Sequence, residues 1–292
     1  MARHALYDGG VTIDFDGRKH MYTWVEKGYA IPGVTSVLKR LNKEALIAWA
    51  AKMAVEGVLM EIVPKLRGHV SAEVFGALLS VKEREGFFLS YTPDFLRETA
   101  LPDMTLGELD VVCQRAKGHH ARYTREAAGI GKQVHGYAEA CLRATMKGAS
   151  GAFPSRPDTK DERIHLGCDA FDEWIRAHDV RIIEPERVIF SEQYFYAGTA
   201  DVYGYIDGEL VVGDFKTSSG IWNEHLLQTA AYQNALEEEL SKRIEARWLI
   251  RLDKKTGEFH AERYARNDLH TSAFLALLDV HRLMSKIEAQ QK

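Results

Sequence analysis

The chain has 292 residues, of which 46% are hydrophobic and 27% are charged, and its formal net charge is −4 at pH 7. These fractions are typical of a soluble globular protein, and the length suits one large or two small domains with a substantial core. The negative balance excludes a globally basic nucleic-acid-binding protein, so any DNA binding must depend on local patches or on metal.

The cysteines and the N-terminus exclude several further classes. Cys113, Cys141 and Cys168 lie far apart and form no Cys-x-x-Cys pair, so neither a zinc ribbon nor a disulfide framework is expected. The first residues contain no apolar signal core, and charged residues interrupt the most apolar predicted helix, residues 44–63. We expect a reducing, cytoplasmic setting with no membrane partner.

The N-terminal half is predicted to contain a hairpin followed by helices. Residues 11–15 and 19–25 are strand-like and flank an Asp16-Gly17 turn, which predicts the hairpin. Residues from about 36 to 147 have a mostly helical pattern. Because strands and helices alternate beyond residue 130, we divide the chain into an N-terminal hairpin and helical wrapping region, residues 1–130, and an α/β core, residues 131–292.

Three arginines form a stripe in the helical region. Arg115, Arg122 and Arg125 recur at seven- and three-residue spacing and would line one helix face, although Gly118 on that face weakens the helix prediction. The stripe is either a solvated helix face or a wall that follows DNA phosphates.

A second helix, predicted to start near Gly131, carries a histidine beside its apolar stripe. The stripe consists of Val134, Tyr137, Ala138, Cys141 and Leu142. His135 lies next to these residues, where a histidine is either a hydrogen-bonded packing residue or a ligand.

Two aspartates are predicted to meet at one end of a hairpin. Residues 202–206 and 210–212 are strand-like and flank Asp207-Gly208, a strong two-residue turn signal. Asp201 thus begins one strand and Asp214 ends its partner, so adjacent antiparallel pairing brings the two acids together. Residues two apart in a strand share a face, so Lys216 projects beside Asp214 while Phe215 points into a core.

Two carboxylates so close require a cation, and their oxygens suit Mg²⁺ or Mn²⁺. Such a metal lowers the pKa of a bound water and clamps the oxygens of a phosphoryl-transfer reaction. Lys216 would orient or deprotonate the attacking water and stabilise the negative charge that develops. The alternative is a surface hairpin with an ordinary Asp-x-Lys pair.

Downstream residues predict a helix, two strands and a closing helix. Residues 223–242 have an amphipathic helical pattern, on which Gln228 and Tyr232 share one face. Residues 246–252 and 259–264 are strand-like, and residues 269–287 are helical.

Three segments together resemble a known family. Gly198-Thr199-Ala200-Asp201, Asp214-Phe215-Lys216 and Gln228-x-x-x-Tyr232, in this order and spacing, resemble the PD-(D/E)XK nucleases of the RecB-like exonuclease branch, especially phage and prophage members. The resemblance is strongest over residues 130–253 and weaker over residues 33–38 and 45–51. Ala200 departs from the proline that names the motif, and Asp214 is the shorter of the two permitted acids.

The resemblance implies a fold and a set of roles. The fold would be of the α/β (α+β) class, with a restriction-endonuclease-like central mixed sheet flanked by helices and an N-terminal helical region able to guide DNA as an arch. Asp201, Asp214 and the Phe215 carbonyl would hold one or two Mg²⁺ or Mn²⁺ ions, with Lys216 catalytic. His135 stands in a matching Gly-x-x-x-His helix, from which it would reach the metal.

The resemblance also assigns roles to two residues of the predicted helix over residues 223–242 and to an accessory acid. Gln228 and Tyr232 would line the site near the DNA backbone and position substrate. Glu186 occupies the place of an acidic residue on the strand before Gly-Thr-Ala-Asp, with Glu192 as its rival. Because the two glutamates are an even number of residues apart, periodicity does not choose between them.

The expected activity is metal-dependent exonucleolytic hydrolysis of DNA in phage or bacterial recombination, repair or replication. A structure- or sequence-specific endonuclease on the same core is the alternative enzyme. A catalytically inactive DNA-binding module is the alternative in which the protein is not an enzyme. A phage recombinase or a single-strand-binding protein is a possible partner. No iron-sulfur cluster is expected, because three cysteines cannot supply the four ligands that some relatives use.

Overall fold

The computed structural model of the protein describes residues 2–17, 19–41, 53, 106–146 and 154–291. The chain divides into two compact units, one formed by Met1–Asn42 with Gly129–Lys292 and the other by Lys43–Ala128. Residues 1–42 therefore group with the C-terminal half of the chain. Apart from Met53, the predicted helix over residues 44–63 lies outside the described residues. Within the described ranges, no helix is long and apolar enough to cross a membrane.

The first unit begins with a four-stranded antiparallel sheet. Its strands, in spatial order, are β1 (Ala2–Leu6), β2 (Val11–Asp16), β3 (Met21–Trp24) and β4 (Tyr29–Ile31). The predicted hairpin is the central pair β2–β3, and the short flanking strands β1 and β4 are additions to that prediction. Ile13 and Trp24 pack with Phe190 in an apolar cluster that joins this sheet to the rest of the unit.

The central sheet has five strands in spatial order β5 to β9. They are β5 (Val180–Ser191), β6 (Tyr196–Ile206), β7 (Glu209–Lys216), β8 (Ala246–Leu252) and β9 (Phe259–Tyr264). Only β7 and β8 pair in parallel, and the other neighbours are antiparallel. The sheet is therefore mixed, and strands β8 and β9 have the predicted bounds.

Helices cover both faces of this sheet. The described helices are α1 (Val34–Leu38), α2 (Leu106–Lys117), α3 (His119–Met146), α4 (Glu162–Ala177), α5 (Asn223–Leu240) and α6 (Asp268–Gln290). Residues of α3, from Ile130 onward, and of α4 share one apolar core with one sheet face. Residues of α1, α5 and α6 share a second core with the opposite face. The predicted α+β class, with a central mixed sheet flanked by helices, is confirmed.

Candidate active site

The β6–β7 hairpin brings the two predicted aspartates together where the pairing of these two strands stops, although Asp201 lies in the middle of β6 and does not begin it as predicted. Its turn consists of Asp207 and Gly208, whose φ angles of 51° and 86° are the left-handed values that a two-residue hairpin turn requires. The pairing runs from Ile206 opposite Glu209 to Val202 opposite Gly213. Asp201 and Asp214 are the next residues on the two strands, immediately beyond the last pair.

Strand β7 separates its polar and apolar side chains as the sequence predicts. Val211 and Phe215 belong to the core shared with α3 and α4. Asp214 and Lys216 lie on the other face, towards α5, where Lys216 Nζ is 2.5 Å from Asp214 Oδ2. The two side chains are only 16% and 5% exposed, so this is a largely buried ion pair and not a solvated surface pair.

Two residues of α5 complete a hydrogen-bond network around this pair. Gln228 Oε1 accepts from Lys216 Nζ at 2.8 Å, and Gln228 Nε2 donates to Asp214 Oδ1 at 3.0 Å and to the Tyr232 hydroxyl at 2.7 Å. The sequence prediction placed Gln228 and Tyr232 against substrate. In the structure both are almost wholly buried, and the polar atoms of Gln228 are engaged by Lys216, Asp214 and Tyr232.

The glycine of the Gly-Thr-Ala-Asp segment lets α5 come this close. A Cβ atom on Gly198 would lie 2.7 Å from Tyr232 Cε1 and 3.3 Å from Val34 Cγ2. Any larger residue would push Tyr232, and with it the Gln228 network, away from β6.

His135 and the backbone of Phe215 contact Asp201. Asp201 Oδ2 lies 3.3 Å from His135 Nδ1 and accepts a 2.7 Å hydrogen bond from the Phe215 N–H. The latter bond ties the middle of β6 to β7 where the regular pairing of these two strands stops. His135 therefore lies at the aspartate pair, one turn after Gly131 on α3, which is the place that the family resemblance implies for it.

Of the two rival glutamates, the structure places Glu186 near Asp201. Pro185 pairs with Val202 and Arg187 pairs with Ala200, so Glu186 lies opposite Asp201. Its backbone has a φ of 51°, an uncommon conformation for a non-glycine residue. Glu192 is exposed, and its N–H donates to the Tyr7 hydroxyl.

One neighbour of the site comes from a part of the chain that the sequence did not connect to it. Tyr22 on β3 is 4% exposed, and its hydroxyl lies 2.9 Å from Thr199 Oγ1, two residues before Asp201. Burial raises the pKa of Tyr22 to about 12. The two residues are 177 positions apart, and no local pattern marks such a contact.

The buried charges shift one another's pKa values. Burial and the Asp201 carboxylate raise the pKa of Glu186 to about 8, and burial with Asp201 raises the pKa of Asp214 to about 6 despite Lys216. Burial opposes the charged form of His135, but Asp201 outweighs it and the pKa rises to about 9. Burial likewise opposes ionisation of Asp201, yet His135 and Lys216 hold its pKa below the usual value. At neutral pH, Asp201 is therefore ionised, His135 is charged and Glu186 keeps its proton.

The donor atoms suit a hard divalent cation. Asp201 and Asp214 supply carboxylate oxygens, and His135 supplies an imidazole, which are ligand types that Mg²⁺ or Mn²⁺ accept. Asp214 Oδ2 is buried and lies 2.5 Å from its ion-pair partner, Lys216 Nζ. A cation that bound Asp214 through this oxygen would therefore share it with Lys216.

A metal would have to rearrange these contacts. Among the residues that the structure describes, no group of three or more His, Cys, Asp or Glu side chains is arranged to hold a metal ion. His135 points at Asp201 as a cation, and only the neutral imidazole ligates metal. The chemistry of the donors therefore fits a metal, while their present arrangement is that of mutual ion pairs.

The arginine stripe is not continuous. A turn at Gly118 ends α2, which carries Arg115, before α3, which carries Arg122 and Arg125. The three arginines are therefore divided between two helices instead of the predicted one, and their role as a wall that follows DNA phosphates stays a prediction. All three arginines belong to the second unit, Lys43–Ala128.

Comparisons with known proteins give only distant likenesses. No protein-family model matches the sequence, and no curated protein matches it. An alkaline exonuclease, LHK-Exo, from Laribacter hongkongensis is 13% identical with a TM-score of 0.27, over 54% of this chain and 86% of that chain. LHK-Exo in complex with dAMP gives 12% identity and a TM-score of 0.31 over 53% and 80% of the two chains.

A third solved structure, that of SSO0001, is 14% identical with a TM-score of 0.28, over 56% of this chain and 86% of that chain. Likenesses this weak carry no argument about activity, because a shared fold does not fix function. A function for this protein must be argued from the geometry of its own site.

Proposed function

We propose that this protein is a Mg²⁺- or Mn²⁺-dependent deoxyribonuclease of the PD-(D/E)XK superfamily, RecB-like branch, that degrades DNA from an end. The observation that carries the proposal is the meeting of Asp201, Asp214 and Lys216 with His135 where the β6–β7 hairpin opens. Carboxylates, an imidazole and an ammonium group in one buried cluster are the set that metal-assisted phosphodiester hydrolysis needs. Its setting would be phage or bacterial DNA recombination, repair or replication.

In this mechanism, Asp201, Asp214, His135 and the Phe215 carbonyl would hold one or two metal ions. A metal held there would lower the pKa of a bound water and draw charge from the phosphate oxygens. In the hydrolysis, the oxygen of the attacking water bonds to phosphorus and its proton passes to solvent, while the bond between phosphorus and the leaving sugar oxygen breaks and that oxygen takes up a proton.

Lys216 stabilises the charge that this step develops. Its ammonium group has three N–H donors. One donates to Gln228 Oε1 and another faces Asp214 Oδ2, which leaves one for the attacking water or a phosphate oxygen. A fixed cation aimed at developing negative charge lowers the barrier most when it is already oriented before the reaction.

Gln228 and Tyr232 act as positioning residues for Lys216 and Asp214. Because Gln228 contacts Lys216, Asp214 and Tyr232 at once, it fixes both reactive side chains in one geometry. Glu186 is assigned as an accessory acid beside Asp201, where a proton that it holds at neutral pH can leave when metal binds.

The test is a time course on 5′- and 3′-labelled linear single- and double-stranded DNA, beside closed circular DNA, with Mg²⁺ or Mn²⁺. We expect linear DNA to be shortened from an end while circles stay intact, and the position of the label then gives the polarity. Cutting of circles would instead indicate the endonuclease.

Two lysine variants are the matched controls. Lys216→Ala should abolish cleavage, whereas Lys255→Ala, which changes an exposed lysine in the β8–β9 turn, should leave it unchanged. Binding of DNA by the wild type without cleavage of any substrate would overturn the nuclease in favour of a binding module.

A further inference from the structure

The loop that leads from Lys216, the last residue of β7, to α5 carries an exposed tryptophan. Trp222 is 52% exposed, whereas Trp24, Trp174 and Trp248 are at most 7% exposed. Tryptophan is usually largely buried because its ring contributes more apolar area than other side chains. A tryptophan left in solvent within six residues of Lys216 therefore requires an explanation.

The position of Trp222 follows from the helix that it begins. Trp222 is the N-cap residue of α5, and Gln228 is six residues further along the same helix. At a rise of about 1.5 Å per residue, the two are separated by roughly 9 Å along the helix axis. Gln228 Oε1 is 2.8 Å from Lys216 Nζ, so the helix that Trp222 begins contacts Lys216 in its second turn.

The loop holds Trp222 in place although its ring faces solvent. The Trp222 N–H donates to His225 Nδ1 at 3.1 Å, and the His225 N–H donates to the Trp222 carbonyl at 2.9 Å. Ser218 Oγ donates to the Gly220 carbonyl at 2.7 Å. A Cβ atom on Gly220 would lie 3.1 Å from Trp222 Cζ2, so the edge of the indole packs closely against this glycine.

We propose that Trp222 is a stacking platform for an unpaired nucleobase of the DNA strand next to the bond being cut. This inference rests on the proposed function and specifies its substrate. A flat, fixed aromatic ring in solvent suits the π-face of a base, and a pre-ordered ring loses little conformational freedom on stacking. A base inside a duplex already has both faces covered, so Trp222 selects single strands or frayed ends.

Stacking also explains how a protein with a negative net charge could bind DNA. A protein with a net charge of −4 cannot rely on long-range attraction to phosphates. Contact with a base gives affinity that does not depend on positive charge and tolerates any sequence.

The experiment measures binding of single-stranded oligonucleotides to protein that also carries Lys216→Ala, so that cleavage does not interfere. Tryptophan fluorescence and anisotropy of a labelled oligonucleotide are followed for Trp222, for Trp222→Phe and for Trp222→Leu. The matched control is Tyr29→Leu, which removes another exposed aromatic ring, on β4. Urea unfolding checks that each variant is folded.

We expect Trp222→Leu to weaken binding about ten-fold and Trp222→Phe to weaken it by less than about three-fold, because an aromatic face remains. Tyr29→Leu should bind as the parent does. The fluorescence quenched by DNA in the parent should be absent in Trp222→Phe. Abasic nucleotides placed opposite the ring should weaken binding of the parent but not of Trp222→Leu.

Equal binding by the parent and Trp222→Leu, or an equal loss for both on abasic DNA, would overturn the stacking role. The proposed nuclease fails separately, in the cleavage assay above. Quenching at Trp222 without cleavage by the wild type would support the stacking role and contradict the nuclease activity. Cleavage without quenching would support the nuclease activity and contradict the stacking role.

Discussion

Two buried charge clusters lie on the central sheet, and they are built differently. In the first, which we call the arginine cluster, Arg187 on β5 donates to Glu184 Oε2 at 2.7 Å and to Glu239 Oε1 at 2.5 Å. In the second, the candidate active site, Asp201 and Asp214 face His135 and Lys216. The Glu239 and Asp214 side chains are 4% and 5% exposed, so both clusters carry a similar desolvation penalty.

The clusters differ in the kind of positive charge that they contain. Arg187 is always protonated, and its planar guanidinium contacts both glutamates at once. At the candidate active site three acidic residues, Glu186, Asp201 and Asp214, face two basic ones, and one of the basic residues is a histidine. A cluster with a permanent cation is suited to hold the fold together, whereas an excess of acidic residues with a titratable basic partner is suited to exchange protons for metal.

The first test of this contrast is Asp214→Asn, for which we expect DNA cleavage to fall by at least about 10³-fold, because a metal ligand and the partner of Lys216 are lost together. The free energy of unfolding should change less than when a buried charge loses its only partner, since Asp201 still interacts with Lys216 and burial already disfavours the charged form of Asp214. Single-turnover cleavage and urea unfolding measure the two effects. Glu209→Gln, in an exposed pair with Arg263, is the control, and cleavage by Asp214→Asn at the wild-type rate would contradict the assignment.

The arginine cluster should respond in the opposite way. Arg187→Met leaves Glu184 and the buried Glu239 without their cation, and removal of one partner from a buried pair typically lowers the free energy of unfolding by about 3–5 kcal/mol. The folded fraction should keep its cleavage rate within a few-fold. Arg3→Met, in the exposed pair of Arg3 with Asp14, should show no measurable change in urea unfolding. A large loss of activity per folded molecule in Arg187→Met would show that the two clusters are not separate in function.

The titratable partners should make stability depend on pH. The pKa values of Glu186 and His135 are raised in the folded state, to about 8 and about 9. The stability that they contribute is therefore complete only below their unfolded pKa values, and is lost as pH rises through the folded ones. In EDTA, the midpoint of thermal unfolding should fall between pH 6 and 9.5, by an amount that corresponds to about 2 kcal/mol after solvent screening.

In Glu186→Gln, the unfolding midpoint should fall less steeply in the lower part of this pH range. Glu192→Gln, at the exposed rival position, should keep the wild-type slope. Mg²⁺ or Mn²⁺ should oppose the loss at high pH, because a cation can replace the protons that leave. If the unfolding midpoint depended on pH with the same slope in the wild type and in Glu186→Gln, Glu186 would not contribute to the pH dependence of stability.

The parts of the site that sequence could predict are those set by local periodicity. The two-residue turn at Asp207-Gly208 fixes the register of β6 and β7, and alternation then places Lys216 beside Asp214. The spacing of Gln228 and Tyr232 on one helix face is likewise local, and the structure joins them by a hydrogen bond. Such features follow from the sequence because each depends on only a few consecutive dihedral angles.

What could not be predicted depends on strand register or on distant contacts. Glu186 and Glu192 are equivalent by period, but the register of β5 against β6 places Glu186 opposite Asp201, and β5 ends at Ser191, before Glu192. The contact of Arg187 with Glu239 joins residues 52 positions apart, with no sequence pattern to signal it. The burial of Gln228 and Tyr232 also depends on how closely α5 packs on β6, which their spacing does not reveal.

The smallest effect is expected at the edge of the site, where Tyr22 bonds Thr199 across the two sheets. Tyr22→Phe keeps the buried ring and removes one hydrogen bond, so the free energy of unfolding should fall by about 1 kcal/mol. Cleavage should fall only a few-fold, because the hydroxyl steadies β6 two residues before Asp201 without touching the reacting groups. Thr199→Val should cost a similar amount, and the double variant should cost less than the sum of the two, as expected of partners in one bond. A loss of cleavage as large as that of Asp214→Asn, with stability unchanged, would instead place Tyr22 inside the catalytic cluster and make the N-terminal sheet part of the active site.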